Sequence, residues 1–250
     1  MDSLLERCTW PPLPEPYGQA LRDAVRFILA HFNVTGIVAS GTILRGTPDV
    51  ASDLDIVVIH RDPVRQRLQK RFNTVPAEIF VNPLSAFEHY FAREQASARP
   101  IMAHMLATGM PILALDTTAA TLQGRARQLL LSPPAFSAEQ ITRARYTAAT
   151  RYEDALDVAG RDPTMAGLLL AQAVIEMLQY LFYQARTFLP PDKQLVESVR
   201  AMDAETAHLV EAFVVSASLD QRLGLAGQIV DRTIAVHGFF DWESTPEPVT

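Results

Sequence analysis

Asp53 and Asp55 stand two residues apart at the head of an apolar run, Leu54 to Ile59. Strand residues two apart share a face, with Cα atoms roughly 6–7 Å apart. Two carboxylates held that way either repel or share a cation. Magnesium is the natural partner, because it takes hard oxygen ligands and brings substrate phosphates with it. Upstream, the apolar run Val34 to Ser40 ends in Gly41-Thr42, and a polar turn there offers backbone N–H groups to those phosphates. Glu78 lies between small or apolar neighbours in another apolar run, Pro76 to Val81. If its strand adjoins the Asp55 strand, three carboxylates converge. Such a trio can hold one or two metals for in-line displacement at phosphorus. The third carboxylate can instead take the proton of the attacking hydroxyl as a general base.

The elements that must position these residues follow from periodicity. Apolar positions Leu21, Val25, Ile28 and Leu29 predict a helix over Pro16 to Phe32, after a proline-rich irregular arm at residues 1–14. Thr42 to Arg45 reads as a short helix or turn. Leu54 to Ile59 is apolar enough for a central strand. Arg61 to Phe72, with five basic residues, reads as an exposed basic helix. Pro76 to Val81 is the third strand. Helices follow over about Ser85–Gln95 and Arg99–Thr108, then a last strand, Ile112–Leu115, and a helix, Thr117–Leu131. Ser132-Pro133-Pro134 combines turn chemistry with a change of pattern and marks a domain boundary.

Beyond it the sequence reads as wholly helical. Ser137 caps a helix to about Val158, with Glu139 near its start. Asp162-Pro163 opens an apolar helix to about Phe188, which Leu189-Pro190-Pro191 breaks. Three more helical segments cover Asp192–Met202, Ala204–Ser216 and Ser218–His237, and Glu243 to Thr250 reads as a frayed end. The expected fold class is α+β: a catalytic domain over 1–131 with a small mixed sheet and flanking helices, then an all-α bundle over 135–242.

The 250 residues are 48% apolar and 20% charged, as in ordinary globular proteins. The net charge of −6 argues against broad nucleic-acid binding but leaves room for a local basic pocket. Cys8 is the sole cysteine, which excludes an internal disulfide and fits the reducing cytoplasm. The N-terminus lacks a basic-then-apolar signal segment. The run Met165 to Tyr183 is interrupted by Gln172, Glu176 and Gln179, so it reads as a buried helix rather than a membrane span. There is no zinc pattern, Walker loop or Gly-x-Ser-x-Gly elbow.

The segment Gly41-Thr42-x-x-Arg45-Gly46, followed by Ser52-Asp53-Leu54-Asp55-Ile56, resembles the signature of the DNA polymerase β-like nucleotidyltransferase superfamily, with Thr42 in place of the usual serine. Ala77-Glu78-Ile79-Phe80-Val81 and the order of domains resemble the antibiotic branch, the streptomycin/spectinomycin and kanamycin adenylyltransferases. The resemblance implies a magnesium-dependent enzyme that moves a nucleoside monophosphate, AMP from ATP, to a hydroxyl of a small molecule such as an aminoglycoside, releasing pyrophosphate. It implies that Gly41 and Thr42 bind the β/γ-phosphates, with Arg45 nearby. Asp53 and Asp55 would chelate Mg2+, and Glu78 would be a third ligand or the base. Lys193, one of only two lysines, would reach across a cleft to the triphosphate.

In the kanamycin relatives the base comes from the first bundle helix. Here that helix carries Glu153, Asp154 and Asp157, and Asp154 is the rival to Glu78. Glu176, within the apolar helix, needs a partner or a raised pKa. His104 is a candidate to face the nucleotide. A second function fits the same pattern: a minimal nucleotidyltransferase joined to a helical domain of the HEPN kind, acting on protein or RNA in a toxin–antitoxin or regulatory role. Its ribonuclease motif, Arg-x4–6-His, is matched by Arg232 to His237.

Overall fold

The computed structural model describes residues 2–49 and 51–246. The chain divides into two compact units, Met1–Ser132 and Pro133–Thr250.

The first unit is built on a five-stranded mixed sheet in the order β3-β4-β2-β1-β5. Its strands are β1 (Val34–Ser40), β2 (Leu54–His60), β3 (Gln66–Phe72), β4 (Val75–Pro83) and β5 (Met110–Ala114). β2 is central, as its apolar run predicts. It pairs antiparallel with β1 and parallel with β4. Helix α2 (Tyr17–His31), after a short α1 (Asp2–Leu5), covers one face of the sheet. Leu21, Val25 and Ile28 meet Ile37, Ile56, Val58, Ile79 and Val81 there. Helices α3 (Leu84–Ser97), α4 (Ile101–Thr108) and α5 (Thr118–Leu131) cover the other face, where Phe87, Met102, Leu106 and Leu122 pack on Val38, Val57 and Ile59.

Several expectations need correction. The N-terminal arm is helical over Asp2–Leu5, and Thr9 donates to the Ile112 carbonyl at 2.8 Å, which ties the following segment to the sheet edge. The basic segment 61–72 is not a helix. Its second half is the edge strand β3, whose period of two is masked by charge. Leu68 and Phe72 point toward α2, and Lys70 shares their face with its ammonium 4.9 Å from the Phe27 ring centroid. Asn73 and Thr74, at φ 45° and 70°, form the two-residue turn into β4. Positive φ at both turn positions matches the right-handed twist of a hairpin. Pro76–Val81 is thus part of the fourth strand, not the third.

The second unit is helical throughout: α6 (Ala138–Val158), α7 (Pro163–Ala185), a 3-10 turn at Asp192–Gln194, α8 (Leu195–Met202), α9 (Ala204–Val215) and α10 (Leu219–Arg232). Ser137 caps α6 through a reciprocal pair with Gln140, and Glu139 lies in the first turn as expected. Asp162 accepts from the Met165 N–H at 3.0 Å, with Pro163 at the first helical position. α7 stops three residues short of Phe188, because Arg186 turns left-handed at φ 53°. α10 ends at Arg232 rather than His237. Residues 247–250 of the expected frayed end lie outside the described residues, and 243–246 form no regular element.

By length and composition α7 could cross a membrane. Its Leu170, Ala173, Val174, Met177 and Leu178 are instead buried in the bundle core with Ala148, Ala149, Ala155, Val199 and Ile229.

One glycine is fixed by packing. A Cβ on Gly109, between α4 and β5, would meet the Met105 carbonyl at 2.5 Å, Val38 Cγ1 at 2.6 Å and the Ala39 carbonyl at 3.0 Å. Two of those atoms are backbone and cannot swing away. Gly109→Ala is expected to cost about 1–3 kcal/mol of overpacking. Thermal denaturation should show Tm falling by roughly 2–10 °C; an unchanged Tm would contradict this packing.

Candidate active site

The parallel register of β2 and β4 sets Asp55 directly beside Glu78. Both side chains project from the sheet face that carries α3–α5, since Val57 of β2 and Phe80 of β4, two residues on, also pack there. Asp53 lies just before β2. Ligand oxygens of Asp53, Asp55 and Glu78 all lie within 4.8 Å of one another, and each residue is half-buried. Two oxygens on one magnesium ion are at most about 4.2 Å apart, given bonds of roughly 2.1 Å. The three carboxylates therefore have both the chemistry and the spacing to hold such an ion after little adjustment.

Gly41 makes room for this arrangement. It ends β1 at φ 96°, and a Cβ there would stand 3.0 Å from Asp55 Oδ2. The turn after it is closed by backbone bonds from Arg45 N to Gly41 O at 3.3 Å and from Thr47 N to Thr42 O at 3.1 Å. Thr42 Oγ1 and Ser52 Oγ are 2.8 Å apart, and Ser52 also accepts from the Asp49 N–H at 2.8 Å. The Thr42 hydroxyl thus ties the glycine turn to the residue just before Asp53. Arg45 is exposed on this turn. Its charge reaches His104 on α4, whose pKa is lowered first by desolvation and then by Arg45. His104 is therefore on the side of the Gly41–Gly46 turn and favours the neutral ring.

The sequence does not single out what holds Glu78. Arg67 Nη2 donates to Glu78 Oε2 at 2.5 Å, and Gln69 Nε2 donates to Oε1. Both donors come from β3, the strand read as a solvated helix. Leu68 and Phe72, four apart around charges, fit either element; the Asn73-Thr74 turn before an apolar strand was the usable signal. Asp53, Gln69, Lys70, Arg71 and Glu78 line an open cavity of about 380 Å³ at this sheet edge.

Residues 19–94 match the family described as "Nucleotidyltransferase domain". The N-terminal unit carries a nucleotidyltransferase domain. The protein is accordingly a transferase enzyme, and the domain implies a nucleoside triphosphate as substrate. Nucleotidyltransferases usually use a divalent metal, and Asp53, Asp55 and Glu78 form a group able to hold one. Among solved structures, a nucleotidyltransferase-like protein from Exiguobacterium sibiricum is 18% identical, with a TM-score of 0.51, covering 86% of this chain and 73% of its own. At that identity it shows a shared fold. No curated protein matches the sequence.

The remaining candidates lie in the helical unit. Asp154 and Asp157 are exposed on α6, while Glu153 is half-buried and packs against Gly238. Lys193 is exposed in the 3-10 turn. Glu176 has found its partners: Arg151 Nη2 at 3.4 Å and Gln172 Nε2 at 3.2 Å. Both contacts fall on Oε1, while Oε2 is buried and has no hydrogen-bond partner among the described residues.

Arg232 and His237 are also engaged. Arg232 Nη2 lies 2.9 Å from both oxygens of Asp203, the residue that caps α9, and His237 Nε2 lies 2.7 Å from Asp231 Oδ1. The Thr206 hydroxyl and then Arg232 lower the Asp203 pKa from 3.8 to about 2. A depressed carboxyl contributes stability that is complete above its ordinary pKa and lost as pH falls through the depressed one. Bundle stability in acid titrations should thus fall between pH 3.8 and about 2. Asp203→Asn should flatten that part of the curve. An unaltered curve would mean that the Asp203–Arg232 clamp does not hold the bundle.

Proposed function

We propose that the enzyme transfers a nucleoside monophosphate, AMP from ATP, to a hydroxyl of its acceptor, with magnesium bound by Asp53, Asp55 and Glu78. The observation that carries this is the convergence of three carboxylates beside a glycine turn within a nucleotidyltransferase domain. The acceptor oxygen forms a bond to the α-phosphorus, the bond from that phosphorus to the β-phosphate bridge breaks, and pyrophosphate leaves. Bound metal supplies charge neutralisation at the triphosphate and the leaving group.

The chain's own residues do the rest. Gly41 lets the turn approach the phosphates: at φ 96° a side chain would be strained, and its Cβ would crowd Asp55 Oδ2 at 3.0 Å. Thr42 and Arg45 face the β- and γ-phosphates. Resemblance to the antibiotic branch makes Lys193 the candidate second cation for the triphosphate. Arg67 and Gln69 fix both oxygens of Glu78, which suits a metal ligand better than a proton acceptor. An arginine-bound carboxylate gives up that charge-assisted bond when it is protonated. Resemblance to the kanamycin adenylyltransferases makes Asp154, exposed on α6, the candidate base for the acceptor hydroxyl.

An aminoglycoside acceptor is the class suggested by resemblance to the antibiotic branch. The ribonuclease version of the alternative is disfavoured by the ion pair that occupies Arg232 and by the contact of His237 with Asp231.

The test uses labelled ATP, magnesium and a panel of aminoglycosides, nucleotides, RNA and proteins. Asp53→Ala and Asp55→Ala should each abolish label transfer and pyrophosphate release, a loss of at least about 10³-fold as expected for an essential charge-stabilising group. Equal release by wild type and both variants would sink the mechanism. Asp154→Asn should lower kcat with the magnesium requirement unchanged, whereas Glu78→Gln should raise the magnesium requirement. The reverse pattern would make Glu78 the base.

A further inference from the structure

A second groove, apolar in its floor and lined by arginines, opens on the same sheet face as the carboxylates. Alternate residues of β4 share that face, so Glu78, Phe80 and Asn82 stand in one row. Beyond Glu78 the row enters a groove of about 600 Å³ between the β3–β4 hairpin and α3–α4. Arg65 and Arg67 line it from the hairpin side, Arg93 from α3, and Arg99 from the segment before α4. The guanidinium of Arg67 lies 4.9 Å from the Phe80 ring centroid, and that of Arg93 lies 5.5 Å from Tyr90.

One acidic residue, Glu94, lines the groove beside these arginines, and Arg67 already pairs with Glu78. Glu94 is 5% exposed, and its two oxygens accept from the Met102 and Ala103 N–H groups at 2.5 and 2.9 Å. Its carboxyl serves the first turn of α4. Asn82 is 2% exposed, and its Oδ1 accepts from the Tyr90 hydroxyl at 3.0 Å. Its Nδ2 is buried and has no hydrogen-bond partner among the described residues. A buried donor left unpaired is costly and calls for an acceptor.

Charge on β3 alone would need no ligand, because basic side chains on an edge strand discourage sheet-to-sheet pairing. Arg93 and Arg99 come from elsewhere in the fold, and edge protection does not explain why they converge on the same groove. Nor does average composition, since the chain as a whole carries −6.

We propose that this groove holds a nucleotide unit, distinct from the triphosphate at the Gly41 turn, and presents it to the carboxylates as the acceptor. The inference rests on the transfer chemistry proposed above. Guanidinium groups grip phosphate through paired N–H bonds. The π faces of Phe80 and Tyr90, with their arginines, offer stacking to a base. The Asn82 amide offers a donor to a base or sugar oxygen. Arg67 joins the two sites, since it touches Glu78 and Phe80 at once. A polycationic aminoglycoside would be repelled from this groove, whereas a free nucleotide or the end of a single strand would be drawn in.

The experiment uses the full chain without divalent metal. Fluorescently labelled AMP and a short labelled single-stranded RNA are titrated separately and followed by anisotropy. Arg65 and Arg93 are both exposed, so Arg65→Gln with Arg93→Gln should fold. At least one probe should bind wild type with an affinity that falls as salt rises. The double variant should bind it roughly ten-fold more weakly, as expected for two lost phosphate contacts. AMP binding alone assigns a free nucleotide; tighter RNA binding assigns a strand end. Absence of binding by both probes, or equal binding by wild type and the double variant, overturns the proposal. Asp55→Asn separates the two ideas. It should keep the anisotropy signal and lose label transfer. Retained transfer would instead bring down the transfer chemistry, whatever the groove binds.

Discussion

The first unit depends on a single register: β2 and β4 run parallel with Asp55 beside Glu78. Without it the carboxylates would sit on separate edges. Parallel neighbours cannot be joined by a tight turn, so the chain must leave β2, travel and return. It uses that excursion to build β3, which returns antiparallel against β4 through a two-residue turn. The connection that parallel pairing demands thereby supplies Arg67 and Gln69, the donors that hold Glu78.

The same register divides the sheet by chemistry. Leu54, Ile56 and Val58 face α2 and form a dry core. Asp55 faces the other side, at the open end of a layer whose Val57 and Ile59 lie under α3–α5. Apolar packing runs up to the functional groups and stops. Gly41 is the seam: it ends β1 where a side chain would collide with Asp55. The Thr42–Ser52 contact then fixes the loop between the two strands from within, without drawing on the carboxylates.

Much of this is legible in the residues. Asp-x-Asp before an apolar run, a glycine turn upstream and a glutamate on a further strand specify convergence if the strands adjoin, and they do. The central position of β2 could be read from its lack of polar residues. β3 could not be read so easily. Its outward side chains are basic on both faces, and Lys70 takes an apolar position by laying its stem on Phe27, so the alternation that marks a strand disappears. The donors to Glu78 were lost with it. Some helix ends are set by backbone conformation that residue type does not reveal: Arg186 stops α7 by turning left-handed, which an arginine does not advertise. In the bundle, Glu176 could be recognised as needing a partner, but its meeting with Arg151 is tertiary and leaves no local trace.

Arg67 stands where two anions would compete for one cation. It neutralises part of the carboxylate cluster through Glu78 while its flat face rests on Phe80. An anion that drew it away would leave the cluster more negative and raise its affinity for a divalent ion. Thermodynamic reciprocity then requires the ion to favour the same anion to the same degree. A single side chain shared in this way would couple metal loading to ligand capture with no movement of the sheet.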